Sequence, residues 1–303
     1  MSLPSAVSAL ARPSGGLAML AVDQREALRA MAAQATGRSA AHVPDQELTD
    51  FKVAVARHLS GLASALLVDA QFGWDAVVRS GVVAPSCALI AAADHFMPGV
   101  DELVADAVID ENVDPARVRE QGAQALKLLV IWRPDADPAP RVAMVTDFVN
   151  RCRTAELLSI IEPVSRAPLG GGEWDVDAGI LAAARELGGL GADIYKSEVP
   201  THGRGANQEV EAGCAAVTEA VDGPWVVLSS GVDAERFPEA VALACRQGAS
   251  GFLAGRAVWA SVVGSSDLAG ALDTVASDRL HRLCDVVDDA MASRGITGIP
   301  ADR

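Results

Sequence analysis

Eight short, almost unbroken apolar runs punctuate the chain, at residues 17–22, 64–68, 87–92, 125–131, 158–161, 192–197, 225–229 and 251–254. A strand exposed on one face alternates apolar with polar residues, whereas a parallel strand covered by helices reads as a continuous apolar run. The runs therefore predict parallel strands. Helical periodicity fills the gaps between them. Residues 50–62 space Phe51, Val55 and Leu59 four apart, residues 177–187 carry Ile180, Leu181, Ala184 and Leu187 ahead of Gly188-Gly189, and residues 237–246 repeat the pattern before Gln247-Gly248. Glycine just after the last periodic residue is a helix stop. Eight strand–helix units over roughly 250 residues are the pattern of a (β/α)8 barrel. The expected fold is thus α/β, a single (β/α)8 TIM barrel over residues 1–303, with a short N-terminal extension and a C-terminal helix at 280–291. That helix packs either on its own barrel or on a neighbouring subunit. The rival, a doubly wound open sheet, would place G-x-G-x-x-G after the first strand, where this chain has Asp23-Gln24-Arg25.

Composition narrows the class of partner. The formal net charge is −15 and the pI about 4.7, which argues against nucleic acid or an anionic membrane surface, since both need a positive field. No stretch approaches the roughly 20 apolar residues of a membrane span, and residues 1–16 lack a basic start followed by an apolar run. A cytoplasmic protein is expected. The five cysteines are scattered without a C-x-x-C pair, so neither a disulfide framework nor a thiolate zinc site is indicated. The five histidines form no H-x-H or H-E-x-x-H pattern, although His95 and His202 follow predicted strands and leave open a metal site assembled in space. No metal and no cofactor is expected. Gly170-Gly171-Gly172, after the fifth run, reads as either a phosphate cradle or a mobile loop.

The candidate chemistry lies in the lysines. Only three occur, Lys52, Lys127 and Lys196, and the last two interrupt apolar runs. A buried ammonium must be paired or lose its proton, and an unprotonated amine is a nucleophile suited to Schiff-base chemistry on a carbonyl. The alternative is a lysine that snorkels to the rim or ends in a structural ion pair. Barrel enzymes build their sites at the C-terminal ends of the strands. There this chain places Asp23-Gln24-Arg25, Asp69, Asp94-His95, Glu162, Ser229-Ser230-Gly231 and Gly255-Arg256. With a strand period of two, Ala125, Lys127 and Leu129 share a face, as do Ile160 and Glu162, and Ile194, Lys196 and Glu198. If those faces point inward, Lys127, Glu162 and Lys196 converge from successive strands. An imine-forming lysine, a second ammonium and a proton-moving carboxylate are the parts needed to break a carbon–carbon bond beside a ketone. Glu162 serves equally as the neutralising partner of either lysine. Asp23, Gln24 and Asp69 are candidates for sugar hydroxyls. Ser229, Ser230, Gly231, Gly255 and Arg256 sit where barrels commonly bind phosphate, which suggests a phosphorylated ketose. Tyr195 has the opposite parity to Lys196, and with Phe252 and Trp259 is expected in the core.

Several segments resemble the class I, lysine-dependent aldolases of the tagatose-bisphosphate aldolase group: residues 16–26 (GLAMLAVDQRE), 126–132 (LKLLVIW), 158–163 (LSIIEP), 192–200 (ADIYKSEVP), 228–233 (LSSGVD) and 250–260 (SGFLAGRAVWA). Within that group the sequence is most similar to the sulfofructosephosphate aldolases. The similarity runs over residues 14–294, and residues 168–174, Ser197 and Thr201-His202 depart from the family pattern. The resemblance implies Lys196 as the Schiff-base lysine, Lys127 and Glu162 as its partners, and Arg256 with the 229–231 turn as holder of a substrate anion. It implies a phosphorylated and sulfonated sugar substrate, 6-deoxy-6-sulfofructose 1-phosphate, cleaved to dihydroxyacetone phosphate and 3-sulfolactaldehyde in bacterial breakdown of sulfoquinovose. A homo-oligomer is also implied. Tagatose- or fructose-bisphosphate cleavage is the alternative within the class, and a non-catalytic sugar-phosphate-binding barrel the alternative outside it. If Lys127 assists catalysis, Lys127→Met should fold yet lose most activity.

Overall fold

In the computed structural model, which describes residues 3–100 and 102–295, each apolar run contains a strand. In chain order the strands are β1 (Leu17–Ala21), β2 (Ala65–Asp69), β3 (Ala88–Ala92), β4 (Asp94–Met97), β5 (Asp106–Ile109), β6 (Ala123–Trp132), β7 (Leu158–Ser165), β8 (Ile194–Ser197), β9 (Trp225–Val227) and β10 (Gly251–Ala254). Eight of them close a parallel barrel in the order β1-β10-β9-β8-β7-β6-β3-β2. β1 closes the ring by pairing with both β2 and β10. This is the expected eight-stranded barrel with helices between strands.

Alternation along each strand divides the core in two. Leu17, Met19, Leu67, Ile90, Ala125, Ile160, Ile194, Val226 and Leu253 form an inner cluster that also holds Val7 and Leu10. The N-terminal extension thus supplies a 3-10 turn, Val7–Leu10, whose apolar side chains complete the barrel interior. The residues of opposite parity, among them Leu20, Leu66, Leu128, Ile161 and Tyr195, pack outward against the helices. Phe252 and Trp259 lie in the same outer layer, Trp259 edge-on to Phe51 at 5.3 Å. Such two-layer burial supplies most of the fold's stability, at about 25 cal/mol per Å² of apolar surface.

The helix expected at 50–62 is Asp45–Leu59, starting earlier because Asp45 and Glu47 occupy the first turn beyond Pro44, where carboxylates suit the helix dipole. Val176–Leu187 and Phe237–Arg246 lie where periodicity puts them. The C-terminal helix, Ser277–Ser293, buries Leu280, Leu283, Val287 and Met291 in the outer core of its own barrel. Among the described residues no helix is long and apolar enough to cross a membrane.

One element is absent from the apolar pattern. Between β3 and β6 the chain leaves the barrel and forms an antiparallel hairpin, β4 with β5. Two arginines fasten it. Arg25 donates to both the carbonyl and the carboxylate of Asp94 at 2.7 Å and lies 4.1 Å from the centre of the Phe96 ring. Arg133 donates to Ala105 O at 3.1 Å and pairs with Glu102 at 2.5 Å.

Candidate active site

The inward faces of β6, β7 and β8 do bring Lys127, Glu162 and Lys196 together. Glu162 stands between the two lysines, its Oε2 2.5 Å from Lys127 Nζ and its Oε1 2.8 Å from Lys196 Nζ. Lys127 is further held by Asp23 Oδ2 at 3.0 Å and Asp94 Oδ2 at 3.1 Å. Asp94 also accepts the Leu129 amide at 2.9 Å. Three basic side chains, Arg25, Lys127 and Lys196, therefore meet three carboxylates, Asp23, Asp94 and Glu162, and all six are buried. In a medium of low polarity such charges are tolerable only as a network, because each alone would carry a large desolvation penalty.

The titration of these groups follows from that arrangement. Burial alone would lower the Lys127 pKa, but Asp23, Asp94 and Glu162 outweigh it and raise it well above the ordinary lysine value. Burial would likewise raise Asp23 and Glu162, yet the adjacent ammonium groups, Lys127 foremost, hold both below the ordinary carboxylate value. Lys127 is therefore a permanent cation that orders three anions, and Glu162 is an ionised base in contact with Lys196. The charge of Lys127 is largely answered by its own carboxylates, so its chief task is to position Asp23, Asp94 and Glu162.

Above this network lies a cavity of about 560 Å³ lined by Asp23, Gln24, Lys127, Glu162, Ser230 and Arg256, together with Arg25, Gln71, Arg166 and hairpin residues that include Phe96, Leu103 and Val104. That is room for a phosphorylated hexose. Lys196, 4 % exposed, adjoins the cavity through Glu162. The amide oxygen of Gln24 is buried and without a partner among the described residues, so it awaits a donor such as a sugar hydroxyl. Arg256 donates to Ser230 Oγ at 2.8 Å and has no carboxylate partner among the described residues.

Other expected residues lie off the cavity wall. Asp69 is fully buried, 2.5 Å from Lys52 Nζ, and accepts the Phe72 amide at 2.8 Å. Its carboxylate belongs to an ion pair beneath the site and does not line the cavity. Lys52 also donates to Val22 O at 2.6 Å and Gln24 O at 2.7 Å, fixing the backbone on either side of Asp23. Ser229, Gly231 and Gly255 are not on the wall either, although Ser229 and Gly231 flank Ser230. A Cβ at Gly255 would stand 2.1 Å from Ala21 O, so its place is set by the close approach of β10 to β1. Gly231 has φ +78° and lies under the His202 ring, where a Cβ would come within 2.8 Å. The 170–172 glycines are exposed, and Leu169 and Gly170 donate their amides to Asp135. Among the described residues no group of three or more His, Cys, Asp or Glu side chains is placed to hold a metal ion. Asp94, expected at a strand end without a role, joins the network, and Arg166 extends the expected set. Both continue the inward parity of their strands, Asp94 after Ala88, Ile90 and Ala92, and Arg166 after Glu162 and Val164.

Residues 17–261 match the DeoC/LacD family aldolase model. The chain is 27 % identical to the tagatose 1,6-diphosphate aldolase of Listeria monocytogenes over 83 % of this chain and 79 % of that one, and 27 % identical to tagatose 1,6-diphosphate aldolase 1 of Enterococcus faecalis over 92 % of each. In structure it resembles a fructose-bisphosphate aldolase from Plasmodium falciparum, with a TM-score of 0.66 at 13 % identity over 96 % of both chains. It also resembles a Schiff-base-forming fructose-1,6-bisphosphate aldolase, with a TM-score of 0.61 at 15 % identity over 93 % of this chain and 98 % of the other. A barrel of eight parallel strands, a lysine–glutamate–lysine cluster at their C-terminal ends and a family match across most of the chain identify this protein as a member of the DeoC/LacD family of class I aldolases, carbon–carbon lyases.

Proposed function

We propose that this aldolase forms a Schiff base through Lys196 and cleaves 6-deoxy-6-sulfofructose 1-phosphate to dihydroxyacetone phosphate and 3-sulfolactaldehyde. The observation that carries the proposal is the contact of Lys196 with Glu162, whose other oxygen is held by the permanently charged Lys127. Attack on the C2 carbonyl requires the lone pair of the Lys196 amine. Glu162 is the base in contact with it, takes its proton, and by releasing the ion pair opens the amine to the cavity. The carbinolamine loses water as Glu162 returns the proton to the departing hydroxyl, leaving an iminium ion. Glu162 then removes the C4 hydroxyl proton, the C3–C4 electron pair moves into the iminium, and the aldehyde leaves. Protonation of the enamine at C3 and hydrolysis of the imine release dihydroxyacetone phosphate and restore Lys196.

Arg256 and Ser230 serve one anionic end of the substrate, and Gln24 with Asp23 its hydroxyls. A sulfonate carries a single negative charge where a phosphate monoester carries up to two. The sulfonated substrate is supported by the resemblance in residues 192–200 and 250–260 and by the small number of cavity cations left without carboxylate partners. Cleavage of tagatose or fructose 1,6-bisphosphate is the second reading, favoured by the names of the bacterial relatives. A dehydrogenase-coupled assay of triose phosphate release from the three ketoses separates the two. The sulfonated ketose should have a kcat/KM at least about tenfold above either bisphosphate, since a site matched to one charged group discriminates against another. A bisphosphate preferred by the same margin would overturn the sulfonate assignment.

A further inference from the structure

We infer that Arg166 is the specificity residue that receives the anionic group on the aldehyde side of the substrate, the end remote from the C1 phosphate. Most of the positive charge at the cavity is already answered. Lys127 faces three carboxylates and Arg25 is paired with Asp94 at 2.7 Å. Arg166 differs. It lines the cavity half-buried, and among the described residues its guanidinium donates only to the neighbouring carbonyl of Ser165 at 3.0 Å and has no carboxylate in reach. A guanidinium held at the wall of a cavity without a counter-ion is disposed to accept one from a ligand, and its planar fork matches the paired oxygens of a sulfonate or phosphate.

Its place on the ring says which end it serves. The strand order β10-β9-β8-β7 sets Lys196, on β8, between Arg256, which follows β10, and Arg166, which follows β7. A substrate whose C2 carbon is bound at Lys196 and whose C1 anion lies at Arg256 then extends its far end toward β7. Arg166 contributes one positive charge there, which balances a sulfonate and leaves a phosphate dianion in excess. This inference rests on the Schiff-base reading of Lys196 for the direction of the substrate, and its test is separable from that reading because it needs no turnover.

The test is calorimetric binding of D-fructose 1-phosphate, D-fructose 1,6-bisphosphate and 6-deoxy-6-sulfofructose 1-phosphate to Lys196→Met, and to Lys196→Met carrying Arg166→Met. The readout is the preference for each doubly anionic ketose over the 1-phosphate. Arg166→Met should reduce that preference by about 10- to 100-fold, the loss of a hydrogen-bonded charge pair, and Arg166→Lys should restore part of it. In Lys196→Met itself the sulfonated ketose should bind more tightly than the bisphosphate; the reverse order would assign the site to phosphate. A preference unchanged by Arg166→Met, or no measurable binding of any of the three to Lys196→Met, would overturn the role of Arg166. Failure of the unsubstituted enzyme to form an imine at Lys196 is a distinct result: it removes the Schiff base and the direction drawn from it, while the binding preference still shows whether Arg166 receives an anion.

Discussion

Lys127 shows how a single residue ties stability to chemistry. Among the described residues its ammonium is the only group that touches Asp23, Asp94 and Glu162 together. Lys127→Met would leave three buried carboxylates around an apolar tip, and removing one partner of a buried ion pair costs about 3–5 kcal/mol. The prediction from sequence that this variant keeps its fold intact is therefore revised. Chemical denaturation should show a loss of that size together with loss of activity, and a variant as stable as the parent would contradict the network described here. The triad itself was legible, because a period of two assigns Lys127, Glu162 and Lys196 to one face once the strands are located. Asp94 was legible as the polar end of the third run, though not its partners Lys127 and Arg25; Arg166 obeys the same parity but lies beyond its apolar run, where nothing in the pattern says that the strand direction persists. Asp69 shows the opposite limit. Its partner, Lys52, sits on a helix 17 residues earlier, and only the packing of that helix against β2 shows that the carboxylate is engaged.

At the scale of elements, the strands were readable because burial on both faces leaves a run with no polar interruption except at the site. Their ends were not. β7 extends through Pro163 to Ser165, although a proline cannot donate to a ladder. It does so where the pairing of β7 with β8 has already stopped at Ile161, while β6 continues alongside. The β4–β5 hairpin was missed for a related reason: two four-residue strands, each with a single buried position, carry too little alternation to register. Arg25 stacking on Phe96 and Arg133 pairing with Glu102 fix the hairpin to the barrel rim, so that Phe96, Leu103 and Val104 wall the cavity. This insertion excludes water from one side of the site, which strengthens the electrostatic contacts beneath it.

For the whole molecule, the buried network makes stability depend on pH in a defined direction. Asp23 and Glu162 titrate below the ordinary carboxylate value in the folded state, so at mildly acid pH the unfolded chain binds more protons than the folded one. Their contribution is present above the unfolded values of about 4 and is lost as pH falls through the lower folded ones. Lys127, raised in the folded state, contributes below the unfolded value of about 10.4 and loses that contribution as pH rises above it. Thermal melts should therefore fall on the acid side of about pH 5, and Asp23→Asn should flatten that limb; on the alkaline side the five buried thiols, pushed up by burial, ionise more readily in the unfolded chain and bring stability down above about pH 8.5. A melting temperature that rises on acidification below about pH 5 would contradict the assignment.

Lys196 is the residue proposed to bond to substrate. Borohydride reduction in the presence of dihydroxyacetone phosphate, followed by intact-protein mass spectrometry and peptide mapping, tests that directly. A single adduct on the peptide containing Lys196, absent in Lys196→Met, is the predicted result. An unmodified chain, or an adduct carried by Lys127 or Lys52, would contradict it.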